Sequence, residues 1–175
     1  KISSDGWSHL IDITNNKIIK DTEINLIPNH TGSINDIDSA LIVSSRSKGI
    51  AVLNINDCIY NKSHFDHILK LQKKLKTEFV LFCLGYTGAG PYPQTYYSPN
   101  NERDILINKS NAKKRIFFDR YKKAIAEIPS TKRLPFAGKY LLQGDLSVLN
   151  PYRGVADALE VKDFDPDAII LDDGG

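Results

Sequence analysis

The sequence predicts an α/β chain with a mixed sheet, and three features of its pattern support that prediction. Two apolar runs, residues 40–43 and 50–55, are joined by a short polar turn, which is typical of an antiparallel hairpin. Apolar residues then recur at helical spacing, and residues 79–84 form a continuous apolar run. A hairpin followed by helix and strand in alternation is typical of a layered α/β fold.

The first predicted elements are strands. Residues 24–27 form a short apolar run that ends at Pro28, and residues 29–33 have the composition of a loop. Residues 40–43 predict the next strand. The turn at residues 46–49 then leads directly into the strand at residues 50–55.

Helices and buried strands alternate after the hairpin. Ile68, Leu71 and Leu75 have helical spacing, and lysines occupy the opposite face. The run at residues 79–84 predicts a strand that is buried on both faces. A second amphipathic helix, ending before Pro129, is indicated by four residues at helical spacing: Phe117, Tyr121, Ala124 and Ile128.

The C-terminal part carries weaker signals. Residues 134–138 predict a strand or tight loop, residues 155–161 a short helix, and residues 168–171 a last strand. No repeat or flexible linker interrupts the sequence, so we expect residues 1–175 to form one domain.

Composition excludes several classes of protein. The formal net charge of +2 and the dispersed lysines argue against nucleic-acid binding, and no apolar run reaches the roughly 18 residues of a membrane span. Cys58 and Cys83 lie in apolar runs, which suits reduced thiols of a cytoplasmic protein. The sequence has no methionine and ends on acids and glycines after an apolar run, so we expect it to be part of a longer protein.

Asp57 is the leading candidate for chemistry. It follows a predicted buried strand, and ligands of layered α/β folds bind at such strand ends. The alternative is a turn-forming aspartate beside Asn56. The neighbouring Cys58 is a soft metal ligand or nucleophile in the functional interpretation and a small buried side chain in the other.

Three histidines and one further aspartate are weaker candidates. His30 lies in a loop after a strand, where an imidazole can bind metal, and Asp38 could orient it. His64 and His67 have a spacing that could share one metal. However, Ser63 with Asp66 matches a helix capping box, and we favour that interpretation of this segment.

A loop rich in glycine and tyrosine follows the strand at residues 79–84. It runs into Pro91-Tyr92-Pro93 and cannot open the helix that a dinucleotide fingerprint needs. Such a loop suits the wall of a substrate pocket, where rings stack on a sugar or base. The substrate-binding candidates are Tyr86, Gly88, Gly90 and Tyr92, to which the later Phe136 is added.

Taken in order, these segments resemble the metallo-β-lactamase-like domain of the CMP-N-acetylneuraminate hydroxylase family, over roughly residues 24–175. The most specific parts are the pair Asp57-Cys58 and the tetrad at residues 135–138, Pro-Phe-Ala-Gly. The other parts are the loop with His30, the strand start at Asp38 and the Gly-Ala-Gly-Pro-Tyr-Pro loop at residues 88–93.

The resemblance implies an αββα sandwich with mixed sheets, of which this chain would supply the C-terminal part. It implies a divalent metal, with zinc favoured over manganese or iron, bound by His30 and Asp57, and a catalytic role for Asp57. Asp38 and Cys58 would support these ligands. The superfamily's first motif, His-x-His-x-Asp-His, is absent, as is a histidine near Phe136.

We therefore expect part of a cytoplasmic metal-dependent hydrolase that acts on a sugar, a nucleotide-sugar or a phosphate-containing substrate. Its partners would be that small molecule and the remainder of its own domain. One alternative is the substrate-binding part of a Rieske-type monooxygenase, although this chain has none of the Cys-x-His pairs that a Rieske cluster needs. The other is a non-catalytic sugar or nucleotide-binding module.

Overall fold

The computed structural model describes residues 10–11, 21–28, 38–55, 58–88, 90–136 and 138–171. Within them the chain is mixed α/β, as predicted. Its strands form one sheet in the order β1-β2-β3-β4-β5-β6. Their bounds are β1 Leu10–Ile11, β2 Thr22–Pro28, β3 Ser39–Ser45, β4 Ile50–Asn54, β5 Glu78–Gly85 and β6 Lys132–Phe136.

The sheet is mixed because its connections differ in length. Strands β1 to β4 pair antiparallel, whereas β4 and β5 pair in parallel. A parallel pair needs a crossover connection, and helix α1 (Lys62–Leu75) supplies it. Helix α2 (Arg103–Glu127) lies between β5 and β6 in the chain. Both helices and strands β2 to β5 confirm the elements expected from the apolar pattern, whereas β1 was not predicted.

The β3–β4 hairpin turns at the predicted position. The amide of Gly49 donates to the carbonyl of Arg46 at 3.2 Å. Gly49 has a φ of +65°, a left-handed conformation that glycine adopts at low cost. Its carbonyl then accepts from the amide of Glu78 at 2.9 Å, which ties the turn to the start of β5.

One row of buried side chains crosses the sheet. Asn25 pairs with Ile42, Ile42 with Leu53, and Leu53 with Phe82. Ile42, Leu53 and Phe82 are fully buried. Residues alternate between the two faces of a strand, so this register fixes which side chains enter the core.

By its internal contacts the chain divides into two compact units. We call residues 1–84 and 125–134 the sheet unit, and residues 85–124 and 135–175 the helical unit. Besides α2, the helical unit contains two 3₁₀ helices, Gly144–Tyr152 and Ala158–Asp163. The expectation of one domain over residues 1–175 stays a prediction beside this division.

The C-terminal elements differ from the prediction. The short helix is a 3₁₀ helix at Ala158–Asp163, shifted from residues 155–161 and opened by a capping box between Asp157 and Glu160. Residues 168–171 are not a strand: only Ala168 forms an isolated bridge. Ile169 and Leu171 are 37% and 59% exposed, so this apolar run is not covered as a buried strand would be.

Among the described residues, no helix combines the length and apolar character that a membrane crossing requires.

Candidate functional site

In the sheet unit, several strand ends meet at one edge. Strands β2 and β4 are both antiparallel to β3, so they run in the same direction and end at the same edge. Pro28, at the end of β2, pairs with Ser39 at the start of β3. Asn54, at the end of β4, pairs with Leu41. At this edge the chain therefore leaves β2, enters β3 and leaves β4.

A thiol and an imidazole meet beside this edge. The Sγ atom of Cys58 lies 3.8 Å from Nδ1 of His64, and Nε2 of the same ring lies 3.4 Å from the carbonyl oxygen of Ile27. A carbonyl oxygen only accepts hydrogen bonds, so Nε2 carries the proton and Nδ1 is left to accept from the thiol. His64 thus links the end of β2 to the segment that follows β4.

The burial of Cys58 and His64 limits the chemical role that this pair can have. Cys58 and His64 are only 4% and 5% exposed. A nucleophile and its base need access to substrate, which this pair lacks in the described structure. The amide of Cys58 also donates to the carbonyl of Ile55 at 2.8 Å. The pair therefore acts to hold the segment after β4 in place.

The N-terminus of α1 explains why His64 points inward. The helix begins at Lys62, and its N-cap is Asn61, whose Oδ1 atom accepts from the amide of His64 at 3.0 Å. The predicted capping box of Ser63 and Asp66 is therefore wrong, since Asn61 occupies the cap position two residues earlier. His64 falls on the buried face with Phe65 and Ile68.

The other members of this segment face outward. His67 is exposed, so it does not share a site with the buried His64. Asp66 forms an exposed ion pair with Lys62 at 3.6 Å, one helical turn away. An exposed pair of this kind adds little stability.

The main predicted ligands cannot be located. His30 and Asp57 lie outside the described residues, so their roles stay predictions. Asp38 is described and exposed, directly before β3. Among the described ranges no group of three or more histidine, cysteine, aspartate or glutamate side chains is close enough to hold a metal ion.

The helical unit contains the glycine- and tyrosine-rich loop. Tyr86 is 3% exposed, and burial is the main reason why its pKa is raised. Gly88 packs against Phe117 of α2: an added Cβ atom would lie 2.4 Å from the ring. Gly90 is exposed with open space around it, and Phe136 is half-buried. Of the predicted tyrosines, only Tyr92, at 37% exposure, presents its ring to solvent.

Lys113 of α2 fixes the course of this loop. Its Nζ atom donates to the carbonyl oxygens of Gly90 at 2.9 Å and Tyr92 at 2.7 Å. Burial lowers the pKa of this lysine, because the charged form loses hydration. Tyr92 also makes edge contacts with the exposed Tyr96 and the half-buried Tyr97, so the three rings form one aromatic cluster.

A polar cavity of about 290 Å³ lies elsewhere in the helical unit. Its charged lining comes from α2, from the segment that joins the two 3₁₀ helices and from the second of these helices, and it consists of Lys114, Arg153, Asp157 and Glu160. Lys114 binds both carboxylate oxygens of Glu160, at 3.0 and 2.9 Å. Asp157 pairs with Lys139, whose hydrogen bond holds the pKa of this carboxyl below its usual range.

Sequence reasoning missed this cavity, and it named His64 without its burial or its contacts. The contact partners of His64 lie 6 and 37 residues away in the chain, and the ion pair of Lys114 with Glu160 spans 46 residues. One local signal was present: Asp157 and Glu160 have capping-box spacing before a helical segment, which places both carboxylates at one helix start.

Comparison with protein-family models finds no match, and comparisons with curated proteins and with solved structures find none either.

Proposed function

We propose that this chain is part of a metal-dependent hydrolase of the metallo-β-lactamase superfamily, acting on a sugar, a nucleotide-sugar or a phosphate-containing substrate. One observation supports the proposal more than any other. The segments that carry His30 and Asp57 both begin at the sheet edge where β2 and β4 end. This is the edge at which His64 links Ile27 to Cys58.

Chain length limits how far the two proposed ligands can be from this edge. His30 follows Pro28 by two residues, and Asp57 follows Ile55 by two and directly precedes Cys58. Two residues of extended chain span at most about 7 Å. Since the described neighbours end at one edge, chain length allows both side chains to contact one metal ion there.

The donor chemistry fits zinc. An imidazole and a carboxylate are common zinc ligands, and catalytic zinc sites use three protein ligands with one open position. In the proposal His30 and Asp57 supply two ligands, and other parts of the protein supply the rest. When bound, the metal would lower the pKa of a water molecule and polarise the bond under attack.

The described residues have supporting roles in this proposal. Cys58 is the covalent neighbour of Asp57, and the imidazole of His64 holds the Cys58 side chain. Contacts of this kind around a metal site orient its ligands, and their loss typically weakens metal affinity by about 10- to 100-fold. Asp38, exposed at the start of β3, is proposed to orient His30.

Metal content tests the ligand assignment. We expect the full-length protein to purify with zinc, manganese or iron, and Asp57→Ala to lose most of it. Asp66→Ala is the matched control, because it removes an exposed carboxylate of α1 in the same unit. Inductively coupled plasma mass spectrometry gives the metal-to-protein ratio, and circular dichroism verifies the fold. Unchanged occupancy in Asp57→Ala would exclude this ligand.

Cys58→Ser separates a supporting role from ligation. If Cys58 supports the site, the variant retains metal at saturating concentration and binds it more weakly in a competition assay. Complete loss of metal from a folded Cys58→Ser protein would make the thiol a ligand instead.

A further inference from the structure

Arg153 has a buried guanidinium nitrogen for which the structure provides no partner. Its Nη1 atom donates to the carbonyl oxygen of Tyr140 at 2.9 Å and approaches Oδ1 of Asn150 at 3.5 Å. Its Nε atom is buried and has no hydrogen bond within the described chain. An unsatisfied buried donor costs about 1–3 kcal/mol, so such a group points to a missing acceptor.

The remaining N–H donors of the Arg153 guanidinium have a defined geometry. With Nη1 engaged by the protein, the remaining edge of the planar group carries Nε and Nη2. Two parallel N–H donors on such an edge match the two oxygens of a carboxylate or a phosphate.

When Lys139 is counted with the charged residues of the lining, positive charges outnumber negative charges by one. Lys114 and Glu160 neutralise each other. Asp157 is shared between Lys139, which forms the ion pair, and Arg153, which acts on it through space. The lining itself carries two cations and two carboxylates, and the third cation, Lys139, binds Asp157 from outside the lining. No carboxylate of the described residues lies within ion-pair distance of Arg153.

Neighbouring contacts hold Arg153 in position before any ligand arrives. The side chain of Asn150 accepts from the amide of Leu142 at 2.8 Å and donates to its carbonyl at 2.9 Å. Gly154 rests on α2, where an added Cβ atom would lie 2.8 Å from the carbonyl oxygen of Ser110. A fixed side chain loses little entropy on binding.

We infer that the cavity at Arg153 is a binding site for a small molecule that carries a phosphate or carboxylate group, with Arg153 as its anchor. The volume of about 290 Å³ admits a small metabolite and not a macromolecule. This inference does not rest on the proposed metal site, because all its residues belong to the helical unit.

Titration of the metal-free full-length protein tests the inference. The probes are glucose 6-phosphate and gluconate, which carry a phosphate and a carboxylate, with neutral glucose as the control. We expect one of the two anions to bind measurably by isothermal titration calorimetry and glucose not to bind. Arg153→Lys keeps the positive charge but loses the two parallel N–H donors, so this variant should bind the anion at least about tenfold more weakly. Arg115→Lys, an exposed position of α2, should bind like the wild type.

A second measurement does not depend on a folded variant. In the nitrogen-15 NMR spectrum of the wild type, the Nε–H signal of Arg153 should shift as the bound anion saturates the site. If neither anion binds, or if binding leaves the Arg153 signal and the Arg153→Lys affinity unchanged, the inference is wrong. Metal content is measured separately, so failure here is distinguishable from failure of the hydrolase proposal.

Discussion

The sheet unit and the helical unit are each stabilised internally by a different kind of interaction. In the sheet unit, backbone ladders set the register and an apolar row from Ile42 to Phe82 fills the core. In the helical unit, single side chains of α2 bind distant backbone, as Lys113 binds the loop at Gly90 and Tyr92. A ladder of many backbone hydrogen bonds tolerates a local change, whereas each of these side-chain contacts in the helical unit depends on one residue.

This comparison predicts where substitutions cost most. Loss of core volume should dominate in the sheet unit, and loss of close backbone approach or of one hydrogen bond should dominate in the helical unit.

Leu53→Ala should have the largest effect. Leu53 is fully buried at the centre of the row across β3, β4 and β5. Truncation leaves a cavity and should lower the free energy of unfolding by about 3 kcal/mol. Ile50→Ala on the same strand, where Ile50 is 37% exposed, is the control and should cost far less. Urea denaturation measures both, and equal losses would contradict the core assignment.

Gly154→Ala should disrupt the helical unit by steric overlap. The new methyl group would lie 2.8 Å from the carbonyl oxygen of Ser110 and 3.0 Å from Cβ of Lys113, and backbone of a helix cannot move easily. Overpacking of this kind costs about 1–3 kcal/mol. Gly90→Ala has open space around it and serves as the control. If Gly154→Ala is as stable as Gly90→Ala, then Gly154 is not tightly packed against α2.

Tyr121→Phe removes one buried hydrogen bond and little else. The Tyr121 hydroxyl donates to Oδ2 of Asp165 at 2.9 Å, and both residues are fully buried. We expect a loss of about 1.5 kcal/mol in the free energy of unfolding, since a buried acceptor loses a hydrogen bond. Tyr96→Phe, at 67% exposure, should leave the stability unchanged. Thermal unfolding of the two variants distinguishes the buried bond from a general effect of the hydroxyl.

Asp157→Asn should have the smallest effect, and that effect should depend on pH. The hydrogen bond from Lys139 lowers the pKa of Asp157 in the folded state, so the carboxylate stabilises the fold above its unfolded pKa. That contribution is lost as the pH falls through the lower folded pKa. Because the pair is exposed, we expect a decrease in Tm of about 1 °C at neutral pH.

The wild type and Asp157→Asn should then converge in Tm under acid conditions. Asp145→Asn, which changes an exposed aspartate in the other 3₁₀ helix, is the control. A difference that persists unchanged in acid would assign the effect to the helix cap and not to the ion pair.

The sheet unit was largely predictable because its pattern is local. The hairpin follows from two apolar runs around Gly49, and α1 follows from the helical spacing of Ile68, Leu71 and Leu75. The N-cap of α1 was predicted wrongly because Ser63 and Asn61 are both good capping residues, and only packing of His64 decides between them.

The candidate sites were less predictable because they combine distant residues. The imidazole of His64 meets Ile27, which is 37 residues away, and no pattern in the sequence encodes that contact. Arg153 lies in a segment without strong periodicity, and its importance follows from a buried nitrogen that only coordinates reveal. Asp57 was chosen as a metal ligand because it follows a predicted strand and because of a family resemblance, and this role stays a prediction.

Anomalous X-ray scattering from zinc-loaded crystals of the full-length protein tests the proposed metal site most directly. We expect a zinc peak within bonding distance of the Asp57 carboxylate, at the sheet edge where β2 and β4 end. A zinc ion bound elsewhere, or no zinc near Asp57, would contradict it.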